Sequence, residues 1–388
     1  MLRVLTLATL FPNGERPTFG IFVEAQTQAL AARGDVAVQV VAPIGLPPWP
    51  LSLHPHYAWL RGLPLREVRN GLTVHRPRYR VWPKFGKAGT ARAIAKALLP
   101  FLRELRAEFP FDVIDAEFFW PDGPAAMHLA QALGVPFSVK ARGSDIHIWC
   151  ARADVAAQVV AAGQAAGGLI AVSAALKRDM AALGLPEERI RVHHTGVDLA
   201  RFKPADRAKA KAALGIDGPL LISVGALIRR KGQDLALAAL ADIPGATLML
   251  AGGGPARALF EAKARALGLA DRVRFLGIQP HAALPALLAA ADVMVLPTVS
   301  EGLANVWVES LACGTPVVTS DVGGAREVID RPEAGRLVPR DPAAIAGAVN
   351  EILAHPPDPA AVRKAAERFN WARNAAELFD HLSGIVQP

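Results

Sequence analysis

The chain has 388 residues, of which 52% are hydrophobic and 20% are charged, and its formal net charge is +8. This composition excludes a disordered or fibrous protein, and the length allows two domains of ordinary size. No apolar run approaches the roughly 18 residues of a membrane-spanning helix. Two cysteines, Cys150 and Cys313, are too few for a disulfide framework or a cysteine metal site, so we expect a cytoplasmic globular protein.

The first half of the chain alternates between short apolar runs and alanine-rich helical stretches. The start, MLRVLTLATLF, has an apolar run but no small-residue cleavage site, so it predicts a buried strand and not a signal peptide. A helix is predicted over residues 20–34, with Gly34 as its C-cap. The predicted strands are 3–9, 36–42, 111–116, 136–141, 168–172 and 190–193.

A polar segment, TGVDLARFKPADRAKAKAALGIDGP, interrupts this alternation, and we place a domain boundary within residues 198–218. The pattern then restarts, and it predicts an α/β protein of two doubly wound domains with a cleft between them. Because ligands of open α/β sheets bind beyond the carboxyl ends of the strands, functional residues are expected in loops that follow strands. The later strands are predicted at 220–226, 247–251, 273–276, 292–296 and 316–319.

Positive charge is concentrated in residues 61–110, where twelve basic residues stand against three acidic ones. Such a patch suggests an anionic partner (a membrane surface, nucleic acid or an acidic glycan), and a solvated basic face is the alternative. Interleaved apolar residues favour a membrane-facing surface. The basic residues are Arg61, Arg66, Arg69, Arg76, Arg78, Arg80, Lys84, Lys87, Arg92, Lys96, Arg103 and Arg106, and the apolar ones are Trp82, Phe85, Leu98, Leu99, Phe101 and Leu102.

The segment SEGLANVWVESLACG places two glutamates in an otherwise apolar stretch. The pattern predicts a strand at 292–298, a loop that contains Glu301, and a helix at 305–314 that contains Glu309. Carboxylates accept paired sugar hydroxyls, so the two glutamates are candidates for binding a sugar and a ribose. The alternative is that Glu309 faces solvent and that Glu301 only complements the helix dipole.

The start of this predicted helix is also a candidate binding site. Free N–H groups and the helix dipole at a helix N-terminus favour a phosphate or sugar hydroxyls. The amides concerned belong to Gly302, Leu303, Ala304, Asn305 and Val306.

Three further loops follow predicted strands. SVGALIRRKGQD carries Arg229, Arg230 and Lys231, whose charges suit a diphosphate but also suit a solvated turn. LAGGGPARALF allows close backbone approach of a ligand at Gly252, yet it lacks the GxGxxG pattern and the distant acid of a dehydrogenase. In ATLFPNGERPTFGIFVEA, Gly20 starts a helix after a long loop, which is either a ligand loop or an ordinary flexible turn.

Together these segments resemble the GT-B retaining glycosyltransferases of family 4, over nearly the whole chain. EGLANVWVESLACGTPVVTSDVGGAREVI resembles the E-x7-E signature of that family with its Gly-Thr-Pro strand and Gly-Gly loop. HTGVDLARF, GALIRRKG, AGGGP, RVRFLG and FNWARNAAELF occur in the family's order and spacing. The resemblance implies two Rossmann-like doubly wound domains that face each other across a cleft, with a C-terminal crossover helix.

The resemblance also implies an activity and a division of labour. Residues 1–200 would bind the acceptor, residues 201–370 would bind the nucleotide-sugar, and a helix at 371–388 would return to the N-terminal domain. The implied reaction is retaining, hexosyltransferase-type transfer from a nucleotide-diphosphate-sugar to a glycan or lipid-linked acceptor, in cell-envelope or extracellular polysaccharide synthesis. No metal, other cofactor or nucleic acid is expected. An anionic surface on the inner face of the cytoplasmic membrane is a further expected partner.

Individual roles follow from the resemblance. Glu309 would accept the ribose hydroxyls, and Glu301, with the amides that follow it, would hold the donor sugar and the distal phosphate. Lys231 would neutralise the leaving diphosphate, which Gly20 would approach from the first domain. Two residues would lie near the nucleoside, Gly252 and Ile278.

The sequence departs from the family at two positions. Ala226 stands where an arginine is usual, so Arg229 or Arg230 would supply the second positive charge. KARGSDIH places Arg142 where many relatives have a His-Gly pair near the donor sugar, so Arg142 would bind an acidic sugar or sugar hydroxyls. Asp145 in the same loop is a further substrate-binding candidate, and a structural ion pair between Arg142 and Asp145 is the alternative.

Two other functions fit part of the pattern. One is a GT-B sugar-nucleotide epimerase, which would share the donor site. The other is a non-catalytic protein that binds a sugar-nucleotide or nucleic acid, which only the basic patch favours. No RNA-binding motif accompanies that patch, and two carboxylates would repel a phosphate backbone.

Overall fold

The computed structural model describes residues 1–82 and 87–386. Contacts divide the chain into two compact units, residues 1–195 with the segment that begins at Trp371, and residues 196–370. Each unit is built on its own mainly parallel sheet, so the predicted α/β class with two Rossmann-like domains is confirmed. The boundary range given by the sequence, 198–218, begins just after this division. Gln387 and Pro388, at the end of the predicted C-terminal helix, lie outside the described residues.

The strands are short and mostly apolar, as expected for sheets covered on both faces. In the first unit they are β1 (Leu2–Leu7), β2 (Val36–Val41), β3 (Ile44–Leu46), β4 (Arg66–Arg69), β5 (Leu72–His75), β6 (Arg78–Arg80), β7 (Val113–Ala116), β8 (Phe137–Ala141), β9 (Gly168–Ala171) and β10 (Ile190–Val192). In the second unit they are β11 (Leu220–Val224), β12 (Thr247–Ala251), β13 (Val273–Gly277), β14 (Val293–Leu296), β15 (Val317–Thr319) and β16 (Gly335–Leu337).

The strand orders determine which loops are neighbours. The main sheet of the first unit runs β10-β9-β8-β7-β1-β2-β5-β4, and the sheet of the second unit runs β13-β12-β11-β14-β15-β16. All neighbours are parallel except β4 and β5, and a separate ribbon pairs β3 with β6. The order reverses between β1 and β7 and again between β11 and β14. The loops after the two strands of each pair therefore lie side by side, where open α/β sheets bind ligands.

The helices cover the faces of these sheets. They are α1 (Ile21–Ala31), α2 (Pro55–Gly62), α3 (Thr90–Glu108), α4 (Asp122–Leu133), α5 (Ala153–Ala165), α6 (Ala174–Ala182), α7 (Arg207–Ala213), α8 (Gln233–Ala239), α9 (Arg257–Ala266), α10 (Leu284–Ala290), α11 (Asn305–Ala312), α12 (Ala325–Val328), α13 (Pro342–Ala354), α14 (Pro359–Lys364) and α15 (Trp371–Val386). The last helix, α15, packs on the first unit, where Leu378 and Leu382 are buried against Val4, Leu30 and Val113.

Two details of the sequence interpretation need correction. Helix α1 ends at Ala31 with Ala32 as its C-cap, and Gly34 lies two residues beyond that cap. Between β2 and β7 the sequence predicted helices but no strands, and the described part of this stretch contains four strands, β3 to β6, as well as the helices α2 and α3. The turn that joins β4 to β5 is formed by Asn70 and Gly71, both with positive φ (48° and 82°).

In the basic window of residues 61–110, some side chains are buried or bonded inside the first unit and others are exposed to solvent. Leu98 and Leu102 are fully buried, so the prediction that they face a membrane is wrong. Four arginines make hydrogen bonds to groups inside the unit: Arg69, Arg76, Arg78 and Arg106. The exposed basic residues are Arg61, Arg66, Arg80, Arg92, Lys96 and Arg103. Lys84, Phe85 and the side chain of Lys87 lie outside the described part of the chain. Every helix in the described ranges is too short or too polar to cross a membrane.

Two buried histidines tie α15 to the first unit. Nε2 of His381 lies 2.8 Å from Oγ of Ser138, and Nε2 of His193 lies 2.8 Å from the carbonyl oxygen of Asn374. Burial lowers the pKa of each histidine to about 3, and the nearby charge of Lys140 acts in the same direction. Both imidazoles are therefore neutral in the folded protein at neutral pH.

This burial makes stability depend on pH. Below about pH 6.5 these histidines bind protons in the unfolded chain but not in the folded chain. Their contribution to stability therefore decreases as the pH is lowered. The loss approaches about 1.4 kcal/mol per histidine for each pH unit. We expect the wild type to lose part of its advantage in urea midpoint over His381→Gln as the pH is lowered from 7.5 to 5. The exposed His355→Gln is the control, and equal slopes in His381→Gln and the wild type would contradict the prediction.

Candidate functional site

The second unit brings two of the predicted catalytic side chains together. Lys231 lies in the loop after β11, and Glu301 lies in the loop after β14, the neighbouring strand at the point where the strand order reverses. Nζ of Lys231 lies 2.5 Å from Oε1 of Glu301. The side chains are 16% and 13% exposed, so the ion pair is largely shielded but remains accessible from solvent.

Two further groups orient the Glu301 carboxylate. Oγ1 of Thr298 lies 3.1 Å from Oε1, and a guanidinium nitrogen of Arg230 lies 3.8 Å from the same oxygen. Arg230 also donates to the carbonyl oxygen of Ser300. Oε1 of Glu301 thus receives the contacts from Lys231, Thr298 and Arg230. In the described residues no protein group bonds to Oε2 of Glu301. Arg229, the other predicted source of charge, is exposed and makes no hydrogen bond to this loop within those residues.

The Gly-Gly loop of the signature, Gly323 and Gly324, packs against the loop that carries Glu301. The amide of Gly324 donates to the carbonyl oxygen of Gly302 over 2.8 Å. Gly323 has φ 51°, and a Cβ at that position would overlap the carbonyl oxygen of Glu301. A side chain at position 323 would therefore displace the backbone that carries Glu301.

Helix α11 begins at Asn305, four residues after Glu301. Its N-cap residue, Ala304, has no side chain that could bond the first amides. In the described part of the chain, the amides from Gly302 to Val306 donate no hydrogen bond to protein. They are therefore available to an anion or to hydroxyl groups. The helix ends at Ala312 and not at residue 314, because Gly314 is already left-handed with φ 76°.

Glu309 lies about one turn into α11 and has a partner that the sequence did not reveal. Its Oε1 lies 2.7 Å from Nε2 of His281, and the two side chains are 12% and 22% exposed. The alternative that Glu309 is a solvent-facing helix residue is therefore wrong. His281 begins a short 3-10 turn after β13, so this contact joins the connection that follows β13 to the helix that follows β14.

The predicted nucleoside residues also share this edge. The amide of Gly252 donates to the carbonyl oxygen of Gly277 over 2.8 Å, which joins the ends of β12 and β13. Ile278 follows directly and is 75% exposed, with its side chain beside Gly253. An exposed isoleucine next to a glycine backbone offers a flat apolar surface, which suits a base or another planar group.

In the first unit, Gly20 lies at the start of α1. It is the N-cap of that helix, with φ 74°, and a Cβ would overlap the carbonyl oxygen of Leu10. Only glycine fits this close approach of the long loop to the helix start. The loop follows β1, so Gly20 lies at the carboxyl edge of the first sheet.

Arg142 is paired with a glutamate from the neighbouring loop. Its Nε donates to the carbonyl oxygen of Glu117 over 2.8 Å, and a terminal nitrogen donates to the Glu117 carboxylate. Lys140 lies 3.2 Å from that carboxylate. Burial raises the pKa of Glu117, but the charges of Lys140 and Arg142 outweigh this effect and bring the pKa to about 2. The alternative of an Arg142–Asp145 ion pair is therefore wrong, and Glu117 was missed because it lies 25 residues upstream.

Asp145 has a different place from the one predicted. Its carboxylate is fully buried and accepts hydrogen bonds from the amides of Phe119, Arg142, Gly143 and Ile146, at 2.7 to 3.2 Å. These bonds fix the loop after β8 against the loop after β7. The prediction that Asp145 contacts substrate does not fit this burial.

Comparisons with known proteins show which family the chain is similar to. The model of Glycosyltransferase Family 4 matches residues 20–201, and that of Glycosyl transferases group 1 matches residues 205–369. TuaC of Bacillus subtilis, named as a teichuronic acid biosynthesis glycosyltransferase, is 30% identical over 360 residues, 90% of this chain and 88% of TuaC. A D-inositol 3-phosphate glycosyltransferase of Mycolicibacterium vanbaalenii is 37% identical over 211 residues, 49% of this chain and 46% of that protein.

Solved structures share the fold over the whole chain. Sucrose-phosphate synthase from Thermosynechococcus elongatus has a TM-score of 0.79 at 24% identity and covers 98% of both chains. HepE from Anabaena, in complex with UDP-glucose, has a TM-score of 0.75 at 20% identity over 99% of this chain and 100% of its own. The chain therefore belongs to the group 1, family 4 glycosyltransferases, with the GT-B fold of two Rossmann-like domains.

Proposed function

We propose that this glycosyltransferase moves a sugar, with retention of configuration, from a nucleotide-diphosphate-sugar to a glycan or lipid-linked acceptor. The observation that carries the proposal is the Lys231–Glu301 ion pair beside the unbonded amides at the start of α11. Together these groups place a cation, N–H donors and a carboxylate side by side at one edge of the second sheet. A diphosphate joined to a sugar requires these three kinds of group.

The donor would bind along the carboxyl edge of the second sheet. Glu309 accepts the ribose hydroxyls, and the base lies against Ile278 and the Gly252 loop. Lys231 and the α11 amides hold the diphosphate. Glu301 accepts hydroxyls of the sugar through its Oε2, to which no protein group bonds within residues 1–82 and 87–386. The known structures of HepE contain UDP and UDP-glucose, which supports a donor of this class.

The chemistry would be a front-face transfer. As the bond between the anomeric carbon and the diphosphate breaks, the acceptor oxygen bonds to that carbon from the same face, and negative charge develops on the leaving phosphate. Lys231 and the helix amides stabilise that charge, while a phosphate oxygen takes the proton of the acceptor hydroxyl. We expect no metal ion to be needed, since these groups supply the positive potential.

The acceptor side of the proposal involves the first unit. TuaC is named for teichuronic acid biosynthesis, and we infer a polysaccharide or lipid-linked acceptor of the cell envelope for this chain. Exposed basic residues on α3 would hold the first unit against an anionic membrane at which such an acceptor is presented. Arg142 and the Gly20 loop are the candidates of the first unit for contact with substrate.

A donor screen tests the proposal. One of UDP, GDP or ADP should raise the melting temperature of the wild-type protein, because a ligand that binds only the folded state stabilises it. Glu309→Ala should weaken binding of that nucleotide about 10- to 100-fold, the effect of losing a charged hydrogen-bond acceptor. Glu301→Ala should leave nucleotide binding near wild type but reduce turnover of the intact sugar donor.

The exposed Glu333→Ala is the matched control for both substitutions. Binding is measured by calorimetry, and turnover by release of the nucleoside diphosphate with separate detection of glycosylated acceptor and of epimerised donor. Unchanged binding and turnover in both glutamate variants would overturn the assignment. Epimerised donor without transfer would replace transferase by epimerase.

Lys231→Ala should depress transfer far more than it lowers the melting temperature. The substitution removes the cation for the leaving diphosphate, whereas Arg230 remains 3.8 Å from Glu301 and limits the structural loss. Lys209→Ala, at a side chain that is 87% exposed, is the control. Wild-type kcat in Lys231→Ala would mean that the diphosphate is held by other groups.

The membrane proposal has its own test. We expect the protein to sediment with vesicles that contain anionic lipid at low salt, and to be released at high salt. The triple substitution Arg92→Gln, Lys96→Gln and Arg103→Gln should abolish this binding, since each basic residue near the surface contributes about 1 kcal/mol.

A triple substitution of equal charge in the second unit, Lys209→Gln, Lys263→Gln and Arg265→Gln, is the control for that experiment. If the wild-type protein stays in the supernatant with anionic vesicles at low salt, the first unit does not attach to membranes.

A further inference from the structure

We propose that His281 is the positioning residue for Glu309, and that it holds the carboxylate ready for the two ribose hydroxyls of the donor. The inference rests on the proposed function, because it assumes that Glu309 binds a ribose. It adds a residue on a separate loop whose contact with Glu309 becomes visible only in the folded chain.

The contact has the geometry of a strong hydrogen bond. Nε2 of His281 lies 2.7 Å from Oε1 of Glu309, within the range of charge-assisted bonds. In the described residues no protein group bonds to Oε2 of Glu309, and Oε1 keeps a second lone pair. The carboxylate is thus fixed by one bond and still has acceptor sites for a pair of hydroxyls.

The surroundings of the ring select one neutral form. An ionised carboxylate has no hydrogen to donate, so the hydrogen of this bond must lie on Nε2 of His281. Nδ1 is buried and has no hydrogen-bond partner in the described part of the chain. A proton on Nδ1 would be a buried N–H without an acceptor, which is costly. The contacts therefore favour the Nε2–H tautomer, which leaves the negative charge on Glu309.

The residues around His281 fix the position of its ring. The ring centroids of His281 and Phe202 are 5.2 Å apart, and Pro280 precedes the turn at His281. Helix α10 follows that turn, and the Oγ1 of Thr315, after α11, donates to the carbonyl oxygen of Leu288 in α10 over 2.6 Å. The donor and the acceptor of the His281–Glu309 bond therefore lie on parts that are themselves bonded together.

The experiment compares ribose with 2′-deoxyribose. Calorimetry gives Kd for UDP, GDP and ADP and for their 2′-deoxy counterparts, in the wild type and in His281→Phe, His281→Ala and His281→Gln. Phenylalanine keeps the aromatic contact with Phe202 but lacks the donor. Glutamine keeps an N–H near the position of Nε2. A melting curve for each variant identifies any that do not fold.

We expect the wild type to prefer the ribonucleotide about tenfold or more over its 2′-deoxy form. His281→Phe and His281→Ala should lose most of this preference, mainly by weaker ribonucleotide binding, and His281→Gln should retain it. In a Glu309→Ala background, His281→Phe should cause no further change, because the two residues act through one contact.

The outcomes separate this inference from the proposed function. Ribonucleotide preference that survives in the folded His281→Phe or His281→Ala variant overturns the positioning role and leaves the donor site intact. Equal losses in the glutamine and phenylalanine variants also overturn it, since they indicate packing alone. If no nucleoside diphosphate binds to the wild type, the proposed function fails, and the inference fails with it.

Discussion

The ion pair between Lys231 and Glu301 depends on the strand order of the second sheet. The two residues are 70 positions apart, and they meet only because β14 lies next to β11 after the chain has completed β12 and β13 on the other side. A parallel sheet puts the carboxyl ends of both strands at one edge, so the two loops share a surface. Three further features lie near this edge. They are the amides from Gly302 to Val306, which donate no hydrogen bond within the described residues, the close approach of Gly323 to Glu301, and the His281–Glu309 contact.

The first unit contains a comparable charge cluster at its own point of reversal, but with a different degree of burial. The side chain of Glu117 is 1% exposed, whereas that of Glu301 is 13% exposed. Removing one partner from a buried pair leaves an unpaired charge and is strongly destabilising. The partly exposed Lys231–Glu301 pair can instead exchange its contacts for those of a ligand. The Glu117 cluster is therefore part of the buried fold of the first unit, whereas the Lys231–Glu301 pair remains partly open to solvent.

The sequence predicted the parts of the fold that have strong local patterns. The apolar strands at the centre of each sheet and the helix that carries Glu309 were found, because burial on both faces leaves a continuous apolar run. β4 and β6 were missed because arginines fill them, although the Asn70–Gly71 pair is a strong hairpin signal. His281 was missed for another reason. It lies 28 residues before Glu309, and only the folded sheet brings the two together.

Arg142 shows why the partner of a charge is harder to predict than the charge itself. Spacing along the chain favours Asp145, three residues away, but four backbone amides occupy that carboxylate. The guanidinium of Arg142 instead bonds to Glu117, in the loop after the neighbouring strand. Its Cζ lies 4.7 Å from the centroid of the Phe22 ring. Backbone amides that need an acceptor thus determined which carboxylate was free for the arginine.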